Sequence, residues 1–221
     1  MPSLLDVLKR LKRHILNRWR AIRPVGFYAS HGEDRHVDEF LRGHGIAPSG
    51  GFDYMDVGAN QPAIISNTYR MYRQGFRGVL VEPNPELSGL IRGIRPRDAL
   101  LAVGCGARAG VAGMCATGPS VLASLTAPRA GGTLIPVLTI DQICESLEIG
   151  SLTLLSIDVE GMNREVLGGA RSILPRTRCV IVETIDSPDS AAAIAADLTA
   201  AGFSRQERVG HNIIAVRDQG R

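Results

Sequence analysis

Gly51-Phe52-Asp53-Tyr54-Met55-Asp56-Val57-Gly58-Ala59-Asn60 is the stretch that decides the fold, with Val79-Leu80-Val81-Glu82-Pro83-Asn84-Pro85 behind it. Each reads as a short buried strand ending in a carboxylate at the rim of a sheet. Residues 66–74 lie between them with helical spacing. Together they make the opening half of a nucleotide-binding βαβ unit. The first loop has no G-x-G-x-x-G, and Asp56 stands where a dinucleotide site places pyrophosphate. A fixed carboxylate there repels phosphate but suits a ligand carrying ammonium and sulfonium groups. S-adenosylmethionine (SAM) is such a ligand, and its ribose hydroxyls are natural partners for Glu82.

Working outward, apolar runs at 52–57, 78–82, 99–103, 152–157, 179–183, 203–208 and 213–216 predict seven strands. Helical patterns at 35–43, 66–74, 85–94, 139–147, 164–173 and 190–201 alternate with them. Such alternation predicts an α/β, Rossmann-like fold, a mostly parallel sheet with helices on both faces. The last two strands are joined by a short turn at Gly210, which permits only an antiparallel pair. One antiparallel strand is therefore expected at the end of the seven-stranded sheet. Residues 104–136 are rich in Gly, Ala, Ser and Thr and predict irregular hairpins and loops beside the site.

With 221 residues and 44% hydrophobic content, one globular domain over 24–221 fits, preceded by an appendage over 1–23. That appendage holds Lys9, Arg10, Lys12, Arg13, Arg18, Arg20 and Arg23 against Asp6, a balance of +6 in a chain whose total is +3. The rest is thus net −3, which argues against a nucleic-acid-binding core. Cys105, Cys115, Cys144 and Cys179 form no C-x-x-C pair, and Cys144 and Cys179, set in apolar patterns, read as buried free thiols, consistent with a reducing cytoplasm. No apolar run is long enough to span a bilayer, and charges interrupt the N-terminus too often for a signal peptide.

Leu4, Leu8, Leu11, Ile15, Trp19 and Ile22 recur every three or four residues, so residues 4–22 predict a helix with one apolar stripe flanked by Lys and Arg. Pro24 stops it. The stripe fits either docking on its own domain or a second subunit, or peripheral contact with anionic lipid.

Ligands of an open parallel sheet bind beyond the carboxyl ends of the strands. Those ends carry Asp56, Gly58 and Asn60; then Glu82; then Gly104-Cys105-Gly106, small enough for a flat ring to approach; then Asp158 and Glu160-Gly161; then Glu183 and Thr184. Arg70, Arg73, Arg92, Arg95 and Arg97 fit either an acidic or phosphorylated substrate or, for most of them, solvated helix faces, and Glu160 or Asn163 reads as the cap of the helix that follows. Ser30-His31-Gly32-Glu33-Asp34, Asp56-Val57-Gly58-Ala59-Asn60-Gln61-Pro62, Ser66-Asn67-Thr68, Gly75-Phe76-Arg77-Gly78 running to Val81-Glu82-Pro83-Asn84-Pro85, and Ile157-Asp158-Val159-Glu160-Gly161 occur in that order. Together they resemble the FkbM-type family of SAM-dependent methyltransferases over about residues 28–216.

The resemblance implies the SAM-methyltransferase form of the doubly wound sheet and methylation of a hydroxyl on a sugar, glycolipid or secondary metabolite. It implies that Asp56, Gly58 and Asn60 surround the methionine end of SAM and that Glu82 takes the ribose, with Glu33 and Pro83 in the same cofactor set. His31 departs from the family's more usual glutamine, and Arg97-Asp98 from its plainer segment, which leaves the adenine contact unassigned. An alcohol is a poor nucleophile until its proton can leave, so a base is expected near the methyl group. The candidates are Asp158, His31 and Glu160. Asp158 and Glu183 are also the oxygen ligands available to a divalent cation such as magnesium, although no third ligand is nameable. Two rivals share the βαβ unit: an NAD-dependent oxidoreductase, and a non-catalytic docking module that acts through the N-terminal helix.

Overall fold

The computed structural model describes residues 4–22, 26–116, 123–126, 133–159, 161–184 and 188–217. Its strands are β1 (Tyr54–Val57), β2 (Gly78–Val81), β3 (Ala99–Leu101), β4 (Gly104–Cys105), β5 (Gly110–Ala116), β6 (Ala123–Thr126), β7 (Thr133–Leu138), β8 (Leu152–Ile157), β9 (Thr177–Glu183), β10 (Arg205–Val209) and β11 (Asn212–Val216). Its helices are α1 (Leu4–Ile22), α2 (Glu33–Gly43), α3 (Tyr69–Arg73), α4 (Pro85–Ile94), α5 (Ile140–Ser146), α6 (Asn163–Leu167) and α7 (Pro188–Ala200).

Seven strands form one sheet in the order β10-β11-β9-β8-β1-β2-β3. β1 lies between β2 and β8, parallel to both, with Asp56 level with Leu80 and with Ser156. Strand order reverses at β1/β8, so the ligand crevice of such a sheet opens there. Every residue of β1 and β2 is buried. Met55 and Val57 enter the core on one face of the sheet, while Tyr54 and Leu80 enter the core on the other. The reversed strand is β11. It pairs antiparallel with β9 on one side and β10 on the other, so it sits one place in from the edge rather than at it.

Three expectations need correction. Residues 104–136 are not merely loops: β4, β7, β5 and β6 build a second, four-stranded sheet in that order. Its β4 is Gly104–Cys105, bound in parallel to Val137 and Leu138, so this segment belongs to a sheet and not to a bare rim. The helix expected at 66–74 shortens to Tyr69–Arg73, because the Ser66 hydroxyl accepts from Tyr69 N and turns the chain before it. The helix expected at 164–173 ends at Leu167. There Gly169 presses so close to the Gly106 carbonyl that a Cβ would stand 2.4 Å from it. The Asp141 carboxylate then takes the N–H groups of Ser172 and Ile173. Burial pushes the thiols of Cys105, Cys144 and Cys179 up to about 12, which makes them inert packing groups.

Helix α1 docks on the domain by its polar side. Asn17 is fully buried; its Nδ2 donates to Gln61 Oε1 at 2.5 Å, and its Oδ1 accepts from Ala63 N at 3.1 Å. Arg73 Nη1 donates to the Ala21 carbonyl at 2.6 Å near the helix end. No helix among the described residues is long and apolar enough to cross a membrane.

Candidate functional site

The chain after β1 turns sharply over the switch point. Gly58 has φ +85°, and a Cβ there would lie 1.9 Å from the Asp158 carbonyl oxygen. Only glycine fits, on both counts. Gly58 N and Ala59 N donate to Val81 O, and Asp158 N donates to Val57 O, which ties the ends of β1, β2 and β8 together. Asn60 follows in the left-handed region with φ +46°. Its backbone N–H donates to Glu82 Oε2 at 2.9 Å, and its own Oδ1 is buried with no hydrogen-bond partner.

Glu82 is the best-defined feature of the rim. The residues around it form a local code. Pro83 and Pro85 end the ladder, Asn84 caps α4 by accepting from Glu86 N at 3.0 Å, and Pro85 takes the first helical position. This bend lets Glu82 Oε1 accept from Asn84 N at 2.8 Å. Each carboxylate oxygen therefore has one fixed partner and one lone pair to spare. Burial pushes the Glu82 carboxyl above its ordinary range; the N–H groups of Asn84 and Asn60 pull it back, and nearby Asp56 adds to the rise.

Asp56 faces away from solvent into a buried ionic cluster. Thr68 Oγ1 donates to Asp56 Oδ2 at 2.5 Å, and Arg95 Nη1 lies 3.9 Å from the same oxygen. Burial raises the Asp56 carboxyl, against the Arg95 charge and the Thr68 and Ser156 hydroxyls. Arg95 was expected to be solvated; its side chain is 0% exposed, and so is that of Asp98, whose Oδ2 it meets at 2.7 Å. Arg95 Nη2 also donates to Tyr54 OH and Thr68 Oγ1. Burial alone lowers the pKa of Arg95, yet Tyr54, Asp98 and Asp56 together hold it above its ordinary value. Arg97 is likewise tied down, over the Tyr72 ring and to the Tyr72 carbonyl.

A second group of polar residues lines the rim on the β8–β9–β11 side. Asn163 is buried; its Oδ1 accepts from Val159 N at 2.8 Å and its Nδ2 lies 3.5 Å from Glu183 Oε2. It thus clasps two strand ends and does not cap α6, whose cap position is Met162. Glu33 is buried and accepts from His31 N at 2.8 Å and from Asn212 Nδ2 at 2.7 Å. The His31 ring has Nδ1 3.4 Å from Glu33 Oε1 and stands edge-on to His211, against Gly210. Asn212 is opposite Glu183 in the β9–β11 pair, so His31, Glu33, His211 and Asn212 share the rim with Glu183. Asn212 Oδ1 is a second buried oxygen with no hydrogen-bond partner.

Of the residues singled out in the sequence, Gly58, Asn60, Glu82, Pro83 and Asp158 meet at the switch point, and His31, Glu33 and Glu183 stand farther along the same rim, while Asp56, expected around the methionine end of SAM, has its carboxylate turned into the Thr68–Arg95 cluster. Glu160 lies outside the described residues. Among the described residues, no group of three His, Cys, Asp or Glu converges to hold a metal ion, so Asp158 and Glu183 gain no third ligand. Sequence patterning gives Asn163 only as a helix cap and singles out neither His211 nor Asn212. The turn at Gly210 sets Asn212 opposite Val209 only; its place opposite Glu183 comes from the long-range β9–β11 pairing, which no local signal announces.

The Methyltransferase FkbM domain model matches residues 56–205. Among solved structures, the chain is similar to a methyltransferase FkbM from Methylobacillus flagellatus KT, with a TM-score of 0.54 at 12% identity over 96% of this chain. The chain spans 60% of that protein's length. A weaker likeness, with a TM-score of 0.42 at 15% identity, covers 86% of this chain and 80% of a Burkholderia thailandensis 1,6-didemethyltoxoflavin-N1-methyltransferase with bound 1,6-didemethyltoxoflavin and S-adenosylhomocysteine. No curated protein matches the chain.

Proposed function

The chain belongs to the FkbM methyltransferase family, and from that premise we propose that it methylates a hydroxyl of a sugar, glycolipid or secondary metabolite with SAM as donor. The observation that carries the donor is the buried Glu82 carboxylate, with one lone pair spare on each oxygen, beside the unpartnered Oδ1 of Asn60. An acceptor pair suits the two ribose hydroxyls, and a lone carbonyl oxygen suits an ammonium group. The glycine at position 58 keeps the floor low where the ligand crosses the switch point.

When bound, SAM supplies an electrophilic methyl; its transfer forms a C–O bond, breaks a C–S bond and leaves a neutral thioether. The chain's own residues hold the acceptor in line, which supplies up to roughly 7–11 kcal/mol of the barrier. They also remove the hydroxyl proton. Asp158 is the residue we assign to that proton, since it directly follows β8 with its backbone carbonyl against Gly58. The acceptor lies toward the Asn163, His31 and Asn212 side, where the second unpartnered carboxamide oxygen offers a site for a further hydroxyl. Incubating the enzyme with methyl-labelled SAM and extracts of glycans and glycolipids tests this reading. Label should enter a hydroxylated product as a methyl ether; label only on nitrogen or carbon would contradict it.

Glu82 gives a prediction with a pH signature. Its ionised form accepts the ribose hydroxyls, and its raised pKa means that this form is lost at higher pH than for an exposed glutamate. SAM affinity should therefore fall on mild acidification. Glu82→Gln should weaken SAM binding about 10–100-fold, the worth of one or two hydrogen bonds to a charge, and should flatten the acid limb. Calorimetry across pH reads both effects.

A further inference from the structure

Helix α1 is mounted the opposite way from an ordinary amphipathic helix on a globular domain. Nine residues, about two and a half turns, separate Asn17 from Leu8, which puts them on opposite sides of the helix. Asn17 is the buried side. The apolar side faces outward: Leu5, Leu8, Leu11, Ile15, Leu16, Trp19 and Ile22 are 39–80% exposed. Five of these, with Lys12, line a shallow apolar groove of about 360 Å³. Lys9, Lys12 and Arg18 are exposed on and beside the stripe. Leaving so many large side chains in water on one helix is costly, since burying each is worth about 1.5–3 kcal/mol.

We propose that this face rests on an anionic lipid bilayer. The charge selects the occupant. The appendage carries +6 while the remainder of the chain is −3, so a second copy would bring one basic helix against another, whereas anionic headgroups complement it. A stripe with one tryptophan and flanking Lys and Arg matches a helix lying in the interface plane: acyl chains take the leucines, and the long cationic side chains reach the headgroups. The anchor bears on the site as well. Asn17 holds Gln61 and Ala63, in the same loop as Asn60. The mooring therefore fixes the loop beside the proposed donor pocket. A lipid-linked glycan is the acceptor class that such a mooring fits; that clause alone rests on the methyl-transfer reading.

The only tryptophan of the chain is Trp19, so its emission reports on α1 directly. The full chain should shift its emission to the blue and co-sediment with phosphatidylglycerol–phosphatidylcholine vesicles, and it should do so less as salt rises. Pure phosphatidylcholine vesicles should bind far less. The double variant Leu11→Ser, Ile15→Ser changes exposed positions and should keep its circular dichroism and SAM binding, while losing vesicle affinity about tenfold or more. Failure to bind anionic vesicles, equal binding to neutral ones, or an unchanged double variant would overturn the proposal. So would a dimer in sedimentation that the same substitutions dissolve without any vesicle binding. Loss of labelled methyl transfer with vesicle binding intact would instead indict the catalytic reading alone.

Discussion

Arg95→Met is expected to destabilise the fold by about 3–5 kcal/mol, the cost of removing one partner from a buried ionic cluster. The side chains of Arg95 and Asp98 are both 0% exposed and 2.7 Å apart. Asp56 lies 3.9 Å from the guanidinium, whose charge offsets part of the rise that burial imposes on its carboxyl. Removing the cation leaves two carboxylates in a dry interior, and it strips Tyr54 OH and Thr68 Oγ1 of a donor. Methionine fills most of the volume, so the loss reports on charge and hydrogen bonding more than on a cavity. A domain of this size commonly has only about 5–15 kcal/mol of total stability, so urea unfolding will show the change as a large fall in midpoint. Adding Asp98→Asn to Arg95→Met should recover part of the loss by removing one stranded charge. A single variant within about 1 kcal/mol of wild type would mean that the cluster does not hold β1, β2 and the Thr68 turn together.

Asp158→Asn is expected to lower kcat about 10²–10⁴-fold, the usual worth of a positioned base, with SAM affinity within a few-fold of wild type. Asparagine keeps the shape, and the backbone contacts that lock this residue are unaffected: Asp158 N to Val57 O, and its carbonyl beneath Gly58. What it loses is the capacity to take a proton. His31 is the test of the alternative. A buried carboxylate, Glu33, orients its imidazole, which is the arrangement of a base and its positioning group. If His31→Ala cuts kcat by the larger factor while Asp158→Asn turns over normally, the base is His31. A pH–rate profile adds a second readout, since removing the base should abolish the acid limb of kcat.

The parts of this molecule that were legible in the sequence are those with a short-range cause. The apolar run ending in Glu82 is what a strand at a rim looks like, and Pro83-Asn84-Pro85 is a strand stop, a cap and a helix start in consecutive letters. The parts that were not legible depend on distant partners. Arg95 lies in a stretch rich in Arg and Pro that suggests a surface, and its burial is set by Tyr54, 41 residues earlier. Gly110–Ala116 has too little alternation and too much glycine to announce a strand, and it becomes one because Thr133–Leu138 pairs with it. The stripe on α1 was visible at once, but its direction was not. A period of three and four marks a face without saying whether protein or lipid covers it, and a single residue, Asn17, settles which side meets the domain.

The most direct test of the central claim is titration calorimetry of the full chain with SAM and with NAD, repeated on Glu82→Ala. Saturable SAM binding that Glu82→Ala abolishes, with no NAD binding, is the predicted result. Tight NAD binding without SAM binding, or SAM binding indifferent to Glu82, would contradict the account.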